Sequence, residues 1–118
     1  MTQTQGNDSA RATIGKNADD RVNLRGVKVH AFDSAESLMD YADAHPGILV
    51  AVNAEKILNA NATTLPIINN NIAYCDGSGA VLAARQKGAK DAVKIAGCEL
   101  WLHIIDRHHA DRTFYIVG

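Results

Sequence analysis

Cysteine is scarce: the chain holds Cys75 and Cys98 and no others. Two thiols cannot build a disulfide framework, and neither stands in a C-x-x-C or His-flanked arrangement suited to zinc. That usage fits a reducing compartment, the cytoplasm. Charge of one sign is also missing. With 12 Lys+Arg against 13 Asp+Glu and a formal net charge of -1, no cationic surplus remains to neutralise phosphates, which argues against a nucleic-acid partner. Long apolar runs are absent: none is longer than Ile48 to Val52, which falls far short of the roughly 18 residues of a membrane-spanning helix. Residues 1–20 lack the apolar centre of a secretory signal and read as a flexible N-terminal tail. No D-x-D triplet occurs, so the usual carboxylate grip on a nucleotide-bound divalent metal is missing.

What is present is the composition of a folded protein. Hydrophobic residues make up 47% and charged residues 21% of 118, which suits one small domain, expected over residues 21–118. Val22–Leu24 and Val27–Phe32 read as strands joined by a turn at Arg25-Gly26. Asp33 and Glu36 have capping-box spacing, and Ala35, Leu38, Met39 and Ala42 recur at helical intervals, so a helix is expected from Ser34 to Ala44, ended by His45-Pro46-Gly47. The continuous apolar run Ile48–Val52 predicts a parallel strand buried on both faces. Good helix formers follow from Ala54 to Ala60, and a second helical turn starts at Thr64 with Pro66 near its beginning. Ile72–Cys75 reads as a strand. Asp76-Gly77-Ser78-Gly79 is a tight turn into a helix over Ala80–Lys87, with Gly88 just past its end. A helix over Cys98–His109 is expected to send Trp101, Ile104 and Ile105 into the core, and Thr113–Val117 to form a last strand. Such alternation predicts an α/β fold: a Rossmann-like open, mainly parallel sheet with helices on both faces.

In such sheets ligands gather at the carboxyl ends of the strands, which directs attention to Asn53, Asp76 and Gly118. Asp76 is placed to act as a general base or to cap the helix after it, at even odds from spacing alone. Asn53 either orients a ligand hydroxyl or caps the helix at Ala54, and taken alone capping is preferred. Glu55 is a candidate for the same cleft, whereas Lys56 reads as part of a solvated helix face. Gly77 and Gly79, flanking Ser78, allow close backbone approach to a diphosphate at a helix N-terminus. The cluster Asp106, His108, His109 and Asp111, with His103, reads as a cationic helix end rather than a metal site, because adjacent helical residues point apart. No metal or other cofactor is expected.

The strings I-L-V-A-V-N-A-E-K-I-L (Ile48 to Leu58), Y-C-D-G-S-G-A-V-L-A-A-R (Tyr74 to Arg85), I-A-G-C-E-L-W (Ile95 to Trp101) and F-Y-I-V-G (Phe114 to Gly118) resemble successive motifs of the WecG/TagA/CpsF family of bacterial glycosyltransferases. The resemblance runs from about Val22 to the last residue. The N-A-E-K form and the tryptophan after A-G-x-x-L are most similar to the branch that transfers N-acetylmannosaminuronic acid. The N-acetylmannosamine branch usually has threonine where this chain has Ala51. The resemblance implies inverting transfer from a UDP-sugar to N-acetylglucosamine on undecaprenyl diphosphate, at the inner leaflet, in surface polysaccharide synthesis. It implies Asp76 as catalytic base and Asn53 as an active-site asparagine; Glu55, Gly77, Ser78 and Gly97 are expected beside them as substrate-binding positions. One carboxylate suffices for inversion by direct displacement. Family members usually continue well beyond the strand ending at Gly118, so these residues are expected to be the N-terminal half. The remainder would supply much of the UDP site and any peripheral membrane contact.

Two other readings compete. A methyltransferase is the weaker, because its donor loop has a denser glycine run than Gly77 and Gly79 provide. The other is a non-catalytic α/β module that binds through an open sheet edge or exposed apolar face. On the same ground the chain is expected to self-associate as a homo-oligomer.

Overall fold

The computed structural model describes residues 21–118; the tail expected over residues 1–20 lies outside the described residues. Val22, Leu24, Val27 and Val29 bury their side chains while Asn23 and Lys28 between them face water, so this alternation closes an antiparallel hairpin. Its strands are β1 (Val22–Leu24) and β2 (Val27–Val29). Arg25 and Gly26 both take positive φ, 57° and 96°, the backbone that a two-residue hairpin turn demands and glycine adopts without strain. Past β2, His30 bridges Tyr74 in parallel, its N–H donating to the Ala73 carbonyl at 2.7 Å. The hairpin is thereby tied to a second, parallel pair, β3 (Leu49–Val52) and β4 (Ile72–Cys75), in which Val52 stands opposite Cys75.

Helices cover both faces of this pair. Ala73 and Cys75 of β4 pack with Ile57, Ile68, Ala80, Val81 and Ala84, which come from α2 (Ala54–Leu58), α3 (Thr64–Asn69) and α4 (Ser78–Gln86). Ile72 and Tyr74 point the other way, toward Leu38, Met39 and Leu100 of α1 (Ala35–Ala44) and α5 (Gly97–His108). All four residues of β4 are buried, as a strand between two helical layers requires.

Several expectations need correction. The fold is mixed α/β, but its parallel sheet has two strands rather than the broad Rossmann-like sheet expected, because ladder pairing extends only through the His30 bridge. β3 is not buried on both faces: Ile48 is exposed and Leu49, Val50 and Ala51 are half-buried, since β3 is paired on one side only among the described residues. Residues 113–117 form no strand. Tyr115, Ile116 and Val117 are 87–93% exposed and have no ladder partner among the described residues, without which an extended segment gains nothing over coil. Trp101 is 52% exposed, because α5 meets the sheet through Leu100 and Ile104, four residues apart. The α1 cap is Ser34, whose Oγ accepts from Ser37 N at 3.0 Å, and Asp33 instead accepts from the Ser37 hydroxyl.

Candidate active site

Val52 and Cys75 are register partners, and Asp76 N donates to the Val52 carbonyl at 2.8 Å. The next residue on each strand, Asn53 and Asp76, therefore stands at the carboxyl end of the parallel pair, on strands about 5 Å apart. Asn53 caps α2: its Oδ1 accepts from Lys56 N at 2.9 Å, and its Nδ2 makes no hydrogen bond among the described residues. Asp76 does not cap α4. That position belongs to Gly77, at φ 151° and ψ 155°, and no side chain among the described residues caps the helix. The half-buried Asp76 carboxylate is thus left without the capping bonds that would have made it structural.

Glycines bring the surrounding backbone close. A methyl on Gly77 would lie 3.7 Å from Asn53 Cβ, and one on Gly79 only 3.0 Å from Ala54 Cβ. The turn after Asp76 therefore packs directly on the start of α2. Gly97, the first residue of α5, closes the opposite side. A methyl there would lie 2.9 Å from the Tyr74 hydroxyl, 3.3 Å from Asp76 Oδ2 and 3.8 Å from Ala51 Cβ. Of the residues expected from sequence, Asn53, Asp76, Gly77 and Gly97 are brought together. Ser78 opens α4 beside them and is exposed, and Glu55 is exposed on the first turn of α2, the helix that Asn53 caps.

Two participants were not anticipated. Tyr74 is buried, and burial, with the Asp76 carboxylate and then Cys98 beside it, raises its phenol above the usual value, so it stays protonated as a hydrogen-bond donor at the Gly97 cradle. Its position two residues before Asp76, on the same side of the strand, was the available signal. Lys56, expected on a solvated face, is exposed but sends Nζ to the Ala51 carbonyl at 2.6 Å. Away from the cleft, the His108 side chain pairs with Asp43 at 2.9 Å beside the Arg107 contacts to Asp40 and Asp43, which fastens α5 to α1. Among the described residues, no three His, Cys, Asp or Glu side chains converge as metal ligands.

A half-buried carboxylate free of capping bonds, between two helix starts and flanked by glycines, is suited to receive a proton from a bound hydroxyl. The model of the glycosyl transferase WecG/TagA/CpsF family matches the chain over residues 22–118. The chain belongs to that family. No solved structure matches it. Membership makes this a chain of a glycosyltransferase family associated with polysaccharide synthesis, and the family match spans both strand ends of the cleft. No helix among the described residues is long and apolar enough to cross a membrane.

Proposed function

We propose that this chain carries the acceptor-activating side of an inverting glycosyl transfer. The donor is a UDP-sugar bearing N-acetylmannosaminuronic acid or N-acetylmannosamine, and the acceptor is N-acetylglucosamine on undecaprenyl diphosphate, at the cytoplasmic face of the membrane. Asp76 takes the proton of the acceptor hydroxyl as that oxygen bonds to the anomeric carbon. The bond from that carbon to the diphosphate breaks, and its electron pair leaves with UDP. Asn53 Nδ2 and the Tyr74 hydroxyl are donors available to orient the sugars, with Gly77, Ser78 and Gly97 as the substrate-binding backbone positions beside them. What supports the reading is a parallel pair with helices on both faces whose carboxyl ends carry Asn53 and Asp76, the place where ligands gather in α/β sheets. The observation that carries this reading is the Asp76 carboxylate, at a strand end and without a capping role.

The test is a transfer assay on the product of the complete reading frame carrying Asp76→Asn, which keeps size and removes the basic carboxylate. Turnover falls by at least about a hundredfold while donor binding survives. Unchanged turnover with an unchanged fold would transfer the role of base to another group. Exposed Trp101, Leu102, Tyr115, Ile116 and Val117 also favour a second property, association between copies. A sedimentation coefficient independent of concentration would remove it.

A further inference from the structure

Strand β4 reads Ile-Ala-Tyr-Cys and is buried throughout; its one strong polar side-chain group is the Tyr74 hydroxyl. A buried tyrosine ordinarily has a partner for its O–H, because stripping water from that group without one is costly. Tyr74 keeps 4% of its surface exposed, and its hydroxyl makes no hydrogen bond among the described residues. The oxygen is nevertheless not sealed in the core. Among the described residues that are not exposed, the side-chain polar atom both fully buried and unpartnered is His30 Nδ1. The Tyr74 ring therefore fills the core while its oxygen opens on the cleft.

Two constraints fix what that oxygen faces. Tyr74 and Asp76 are two residues apart at the end of one strand, so they share a side. Cys75, between them, accepts from Ile95 N at 2.9 Å, which ties the chain entering α5 to β4 and brings Gly97 over the pair. The point that a methyl on Gly97 would occupy is 2.9 Å from the Tyr74 hydroxyl and 3.3 Å from Asp76 Oδ2, and the next atom is Ala51 Cβ at 3.8 Å. A hydroxyl and a carboxylate oxygen thus look toward one spot with an inert methyl beside them. Asp76 acts on the phenol as a charge rather than as a hydrogen-bond acceptor. One further atom would satisfy both groups: an oxygen that gives a proton to the carboxylate and accepts from the phenol. An alcohol has that pattern. An ionised carboxylate or phosphate has no proton to give, and an ammonium has no lone pair to offer.

We propose that Tyr74 is a second catalytic residue, its hydroxyl donating to the same acceptor oxygen whose proton passes to Asp76. This rests on the base role proposed above for Asp76. With one lone pair held by the phenol and the proton aimed at the carboxylate, the remaining lone pair is directed at the anomeric carbon. As the bond from oxygen to that carbon forms, the proton moves to Asp76 and the electron pair of the broken bond leaves with UDP. The phenol keeps its own proton and steadies the negative charge that gathers on the attacking oxygen.

Two measurements on the product of the complete reading frame test this. In the transfer assay Tyr74→Phe, which keeps the ring, lowers kcat at least about tenfold with the donor KM within about twofold. Added to Asp76→Asn it lowers turnover by less than about threefold more, because both groups act on one oxygen. Without donor, calorimetry compares a short-chain analogue of the lipid-linked acceptor with its counterpart lacking the reacting hydroxyl. The wild type prefers the hydroxyl form, and Tyr74→Phe cuts that preference at least about fivefold. Full turnover in Tyr74→Phe beside a collapsed Asp76→Asn would overturn the proposal and leave the base role standing. Full turnover in both variants would remove the base role and the proposal with it. Losses that multiply fully in the double variant, or an unchanged preference in Tyr74→Phe, would overturn it by placing the phenol on another group of the substrates.

Discussion

Gly97 shows how one missing methyl shapes the cleft. Alanine is ordinarily the better helix former by about 1 kcal/mol. Here its methyl would meet the Tyr74 hydroxyl at 2.9 Å and Asp76 Oδ2 at 3.3 Å, so either α5 or the pair beneath it must move. Gly97→Ala is expected to lower stability by about 1–2 kcal/mol, the usual cost of overpacking, and to shift Asp76. Tyr74→Phe removes the closer atom, so the double variant Tyr74→Phe/Gly97→Ala recovers most of that loss. Denaturant unfolding of the four combinations measures the coupling. Additive losses would show that the tyrosine hydroxyl is not what holds position 97 to glycine. Sequence reading found Gly97 through a motif and missed Tyr74, because an aromatic in a buried strand has the pattern of core whether or not its hydroxyl lines a cleft.

At the scale of elements, α2 is a helix of five residues, too short to persist without its cap and its packing on the sheet. Asn53 therefore serves structure, and under the proposed function also serves ligand. The two roles separate chemically: its Oδ1 accepts from Lys56 N, while its Nδ2 is the group available to substrate. Asn53→Ala is expected to lose the cap, at about 1 kcal/mol. Asn53→Asp keeps an accepting oxygen and holds stability within about 0.5 kcal/mol, yet removes the amide donor. Thermal unfolding paired with donor-binding calorimetry checks both. Weakened binding in Asn53→Asp at unchanged stability supports the ligand role, and unchanged binding leaves Asn53 a cap alone. The capping preference for Asn53 was legible from its place before Ala54. For Asp76 local spacing left two roles equally weighted, and the positive φ of Gly77 moved the cap position one residue along.

At the scale of the whole molecule, His30 and Arg21 join the hairpin to the parallel pair. His30 has no exposed surface and lies 5.3 Å, centroid to centroid, from Phe32 and 4.9 Å from Tyr41. Arg21 Nε donates to its Nε2 at 3.3 Å, and the same guanidinium donates to the carbonyls of Asn69 and Asn71. The imidazole accepts at Nε2, so its proton is on Nδ1, which has no hydrogen-bond partner among the described residues. Burial first, then the Arg21 cation, pushes its pKa down to about 4, with His45 acting in the same direction and the Ala73 backbone bond against it. Unfolded histidine titrates near 6.5, so between about pH 4 and 6.5 the unfolded chain takes up a proton that the folded chain refuses. Stability is therefore full above that window and falls as pH drops through it, by on the order of 3 kcal/mol at most. Melting temperatures from pH 7.5 to 4.5 should show this decline, and His30→Phe should flatten it. An equal slope in both proteins would place the acid sensitivity elsewhere.

The sequence by itself determined the kinds of elements and most of their order, because those depend on local periodicity: alternation in the hairpin, the apolar runs of β3 and β4, and the glycines and caps between helices. It also put Asn53 and Asp76 at strand ends, which follows from where each apolar run stops. The tertiary structure decided what depends on neighbours. Whether Ile48–Val52 is central or at an edge, whether Thr113–Val117 is strand or coil, and whether Trp101 is core or surface are questions of pairing and packing partners, which no local pattern contains. The convergence of Tyr74, Asp76 and Gly97 is of the same kind. Residue 97 lies more than twenty positions along the chain from both others, and only the packing of α5 on β4 brings its missing side chain over their oxygens.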